Sequence, residues 1–75
     1  QLQKENQKEQ RRLARRLEQL ETQIEDLDSQ ISQLQEAMEA TNDAAELMES
    51  QQQIDQLTAT QEEAMLEWEE LAEKV

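Results

Sequence analysis

A chain of 75 residues has room for one domain at most, and the absence of Gly, Pro and Cys disfavours positive-φ turns, kinks and disulfides. Without Cys or His, the common zinc, haem and thiol-nucleophile sites are excluded. The net charge of −12, with 35% charged residues, fits either long solvated helices or disorder, and the spacing of apolar residues has to decide between them.

The first half decides for helix. Leu13, Leu17, Leu20, Ile24, Leu27, Ile31, Leu34 and Met38 alternate spacings of four and three. Written as heptads, Leu17, Ile24, Ile31 and Met38 take position a, and Leu13, Leu20, Leu27 and Leu34 take d. This is a coiled-coil seam.

A connection follows. Met38 and Leu47 are nine residues apart, whereas a continuous coiled coil absorbs insertions of three or four. The intervening Glu39-Ala-Thr-Asn-Asp-Ala-Ala45 holds Asp43 with Glu46 three residues on, the pattern of a capping box; Thr41 or Asn42 are alternative caps. The second half resumes the pattern less strictly. Leu47, Ile54, Gln61, Trp68 and Val75 fall at a, and Ser50, Leu57, Ala64 and Leu71 at d. Ser50, Gln61 and Ala64 are polar or small, which predicts looser packing here.

Folding the chain back at the connection gives one register. Met38 with Leu47, Ile31 with Ile54, Ile24 with Gln61 and Leu17 with Trp68 have residue numbers summing to 85. Leu34 with Ser50, Leu27 with Leu57, Leu20 with Ala64 and Leu13 with Leu71 sum to 84. The flanking pairs agree, with Glu9–Lys74 and Arg16–Glu67 attractive and no like charges opposed. The expected fold is therefore all-α, a two-helix antiparallel coiled-coil hairpin over residues 1–75. Helix 1 is expected at about 2–39, the connection at about 40–43 and helix 2 at about 44–74. The chain begins at Gln1 rather than Met and reads as a fragment of a larger protein. Two helices alone bury little surface, so docking to a neighbour, weak homodimerisation or modest stability is expected. The longest apolar run is three residues, so no membrane span is expected.

No constellation for catalysis, cofactor or metal stands out. Glu62-Glu63 and Glu69-Glu70 are sequence neighbours that point in different directions on a helix, so they read as solvated acid. The charge distribution says more. The first sixteen residues carry Lys4, Lys8, Arg11, Arg12, Arg15 and Arg16 against Glu5 and Glu9, a balance of +4. Residues 17–75 carry one Lys and seventeen acids, a balance of −16. Lys4, Lys8, Arg11, Arg12 and Arg15 point away from the seam and form the candidate polyanion contact. The plainer alternative is a solvated face neutralised by Glu69, Glu70 and Glu73. Trp68, the one aromatic residue, forms with Leu17, Leu13 and Leu71 the candidate packing anchor at the open end. The alternative for Trp68 is a partly exposed stacking or docking role.

The basic run Lys8-Glu-Gln-Arg-Arg12, the stretch Leu17-Glu-Gln-Leu-Glu-Thr-Gln-Ile-Glu-Asp-Leu27 and the closing Met65-Leu-Glu-Trp-Glu-Glu-Leu71 resemble the C-terminal extension of ABC-F proteins. These are ABC ATPases with two nucleotide-binding domains and no membrane domain. The closing run is similar to the family's aromatic-x-Arg-Trp-Glu-x-Leu ending. It differs in having Met65 for the aromatic and Glu67 for the Arg, and Ala40-Thr-Asn-Asp43 replaces the Asp-Pro and Tyr often found near the turn. The resemblance implies a cytoplasmic parent that binds ATP and Mg in its own ATP-binding domains and acts on the ribosome. It also implies a hairpin that is not itself an enzyme, packs near those domains, and contacts ribosomal RNA or DNA. The alternative is a structural or protein–protein interaction coiled coil, a spacer or a dimerisation arm.

Overall fold

The computed structural model describes residues 2–75, with side chains from residue 7 onward. The chain forms two α-helices, α1 (Leu2–Ala40) and α2 (Ala44–Ala72), packed against each other along their length in an antiparallel hairpin of 63 × 14 × 13 Å. No strand is present among the described residues.

The seam explains the packing. Leu13, Leu17, Leu20, Ile24, Leu27, Ile31, Leu34 and Met38 are all buried or half-buried, while the residues between them are exposed. On α2, Leu47, Ser50, Ile54, Leu57, Gln61, Ala64, Trp68 and Leu71 are likewise buried or half-buried, and between them only Thr58 and Glu67 are also half-buried. Among the described residues Leu20, Leu27, Ile54 and Ala64 are buried, Leu20 fully so. Such a narrow stripe is what two helices alone can cover, so stability rests on a few apolar layers.

Two cross-helix bonds fix the register independently of burial. Arg16 donates through both Nε and Nη2 to the Glu67 carboxylate, the second bond 3.0 Å long. One heptad nearer the tip, Gln61 Nε2 donates to the Ile24 carbonyl at 3.2 Å. The second bond answers how a polar residue sits in the seam. Gln61 reaches past the apolar layer and satisfies its amide on the opposite backbone.

The expected looseness of α2 does not hold at Ala64, which is 5% exposed and lies opposite Leu20, itself 1% exposed. A small side chain lets Leu20 insert deeply, so the small–large layer closes more completely than a layer of two large residues. The seam also ends earlier than its heptads suggest. Val75 is 57% exposed because α2 gives way to a turn after Ala72, with Lys74 N donating to Leu71 O at 3.0 Å. Lys74 therefore leaves the flank where it was to meet Glu9, and that ion pair is not formed. Instead the Gln10 side-chain amide donates to the Lys74 carbonyl at 3.3 Å.

The connection is residues 41–43, with no positive φ among the described residues. Asp43 is the N-cap of α2, accepting from Ala45 N at 2.9 Å. Glu46 does not reach back to the Asp43 amide as a capping box requires. Thr41 stands between them: its Oγ1 accepts from Asp43 N at 3.2 Å and donates to Glu46 at 2.7 Å. All three residues share one cap. Asp43→Ala is expected to cost about 1 kcal/mol, read as a lowered urea midpoint at unchanged slope; a midpoint equal to the parent's would remove Asp43 from that role.

Candidate polyanion interface at the hairpin base

Basic residues on one side of α1 define the site. At about 100° per residue, Lys8, Arg11, Arg12 and Arg15 share about 100° of the helix circumference and about 10 Å of its axis. All four are exposed, and they surround a shallow surface depression of about 240 Å³. Lys4 belongs to the same run, but its side chain lies outside the described residues.

What surrounds these cations matters more than their number. Glu69, Glu70 and Glu73 form no salt bridge with these cations among the described residues. Among the described residues, the one salt bridge is Arg16–Glu67. Like-charged side chains at i, i+4, such as Lys8–Arg12 and Arg11–Arg15, cost an isolated helix about 0.2–0.5 kcal/mol per pair. Among the described residues, that repulsion is not offset by a salt bridge to any of the four.

Arg16 sits at the edge of this face but is turned across the seam. Both partners are nearly half exposed, with side-chain accessibilities of 45% and 42%. The hydrogen bond from Arg16 holds the Glu67 carboxyl below its ordinary pKa, and the same bond raises the Arg16 guanidinium. A depressed carboxyl stabilises the fold above its unfolded-state pKa and loses that contribution as pH falls through the folded one. The exposed pair thus pins register at neutral pH and releases in acid, with little effect on stability.

The packing residues lie at the same end. Leu13, Leu17, Trp68 and Leu71 are half-buried, and the register sets Leu17 opposite Trp68 and Leu13 opposite Leu71. The indole Nε1 of Trp68 donates to Glu21 Oε1 at 3.1 Å. One edge of the ring is therefore tethered across the seam, which removes that donor from any stacking partner. Sequence reasoning named Thr41 as an alternative cap but gave no bonding role to Glu21 or Gln10, whose partners on the other helix became visible only with side-chain geometry.

No group of three or more His, Cys, Asp or Glu is placed to hold a metal among the described residues. The sequence has no glycine and therefore no Gly-rich loop of the kind that cradles phosphates. No described helix is long and apolar enough to cross a membrane.

The described residues thus form an all-helical hairpin with an exposed cationic stretch near its base. The chain belongs to the ABC transporter C-terminal domain family, whose model matches residues 4–73. This is a family of small accessory domains of ABC proteins, not itself catalytic. No curated protein and no solved structure matches the chain.

Proposed function

We propose that this hairpin is the C-terminal accessory domain of an ABC-F type ATPase and contacts the phosphate backbone of nucleic acid, ribosomal RNA or DNA, through its base. The observation that carries this reading is the exposed arc of Lys8, Arg11, Arg12 and Arg15, without an ion-pair partner among the described residues, on a chain of net charge −12. Glu36, Glu39, Asp43, Glu46 and Glu49 repel phosphate from the tip, so contact is confined to the base. ATP and Mg belong in this reading to the parent's ATP-binding domains. The parent is cytoplasmic, and the hairpin acts as a monomer or weak homodimer.

The test is binding of a fluorescein-labelled duplex of about twenty base pairs, in DNA and RNA forms, as a function of salt. Four phosphate contacts predict a log–log slope near −3.6 and a loss of affinity of about 10²-fold between about 50 and 200 mM salt. Changing Lys8, Arg11, Arg12 and Arg15 to Glu is expected to abolish binding while the helical signal is retained. Unaltered affinity in that variant would overturn the interface. A protein-contacting spacer or dimerisation arm would then be the better reading, favoured by the exposed Met48 and Leu66, at 66% and 61%.

A further inference from the structure

We propose that Glu67 sets the width of the cationic face by sequestering Arg16, so that, among the residues whose side chains are described, the hairpin presents four phosphate-binding cations where its sequence places five. The proposal rests on the nucleic-acid reading above and concerns the regulation of that site.

The geometry is specific to this pair. Taking Lys8 as zero and about 100° per residue, Arg11, Arg15, Lys8 and Arg12 stand near −60°, −20°, 0° and +40°, and Arg16 near +80°. Arg16 is thus the next tooth of the same comb, one helical turn beyond Arg12. Adding it would widen the arc from about 100° to about 140°. It is held out of the comb by two hydrogen bonds to one carboxylate, a fork-to-fork arrangement that fixes the guanidinium plane as well as its charge. Its Nη1 lies 3.4 Å from Gln19 Oε1, so the third edge of the guanidinium is occupied as well.

The pair is on the surface, where an ion pair is weak enough to exchange for another anion. A phosphate competing for Arg16 must displace Glu67 and then lie beside the carboxylate it displaced. Glu67 therefore acts twice, by occupying a donor and by placing a negative charge at the margin of the face. This double action separates it from the other acids of α2. Glu69, two residues on, lies about 200° around the helix from Glu67 and does not face Arg16.

A four-variant cycle on the 75-residue chain tests this, with the same labelled DNA duplex as probe. In the parent, Arg16→Gln should leave the salt slope unchanged, because a sequestered cation contributes no counterion release. Glu67→Ala should tighten binding and steepen the log–log slope by about 0.9, one further phosphate contact. Adding Arg16→Gln to Glu67→Ala should return the slope to the parent value. Glu69→Ala, which removes the same charge elsewhere, should change affinity without changing slope. A structural role of Glu67 would lower thermal stability but would not produce this slope pattern. An unchanged slope in Glu67→Ala, or a shallower slope in Arg16→Gln alone, overturns the sequestration while leaving the four-cation interface standing. Absence of any binding by the parent chain overturns both.

Discussion

Leu20→Ala is expected to cost about 4 kcal/mol, the largest effect of any single truncation in this hairpin. Leu20 is 1% exposed and the register sets the small Ala64 opposite it. An alanine at both positions leaves a layer with no large side chain from either helix. The neighbouring layers cannot collapse into the gap, because the Gln61–Ile24 bond on one side and the Arg16–Glu67 pair on the other hold the helix separation and register. The cost should therefore lie toward the upper part of the range for leucine truncation. A chain of this length has a total stability on the order of 4–11 kcal/mol, so the variant should be largely unfolded or sharply lowered in Tm. Far-UV circular dichroism on urea and heat gives the measurement, with Met48→Ala as the exposed control. A Leu20→Ala midpoint matching that control would contradict the packing described for the Leu20–Ala64 layer.

Trp68→Ala comes second, at about 2–3 kcal/mol. The indole is only half-buried, which places the loss below that of a fully buried tryptophan. It surrenders packing against the layer of Leu17 and also the bond from Nε1 to Glu21. The two contributions can be separated. Trp68→Phe keeps most of the apolar area and removes the donor, so it should cost about 1 kcal/mol. Glu21→Gln retains an acceptor for the indole and should cost less than either. If Trp68→Ala melts with the parent, the side chain contributes no packing and its role at the base lies in contacts with something outside the chain.

The architecture was readable from the sequence because a two-helix hairpin depends on little else than periodicity. The spacing of Leu13 through Met38 defines one stripe, and the nine-residue interval from Met38 to Leu47 breaks phase in a way only a reversal of direction accommodates. The Arg16–Glu67 pair followed from the same register and is formed. The Glu9–Lys74 pair followed from it equally and is not formed, because register says which residues are level and not where a helix stops. Ala64 was misjudged for a related reason. Size alone suggested slack, whereas depth of burial depends on what the facing residue inserts. The Thr41 relay and the Trp68–Glu21 bond depend on rotamers that no spacing encodes. The basic cluster was legible as composition and heptad position. Its lack of acidic partners among the described residues was not, since Glu69, Glu70 and Glu73 are close enough in level to have supplied them.

The three-residue connection carries a consequence for the order in which this hairpin assembles. Bringing Met38 to Leu47 closes the shortest loop in the molecule, and the entropy of closure grows only slowly thereafter. Each later layer zips onto an existing end, from Ile31–Ile54 through Leu20–Ala64 to Leu13–Leu71, with nucleation at the capped turn. The base is then the last part to close and the first to fray. The arginines proposed to meet phosphate stand on those final layers, so an anion bound there would rest on the segment of the zipper with the least topological protection.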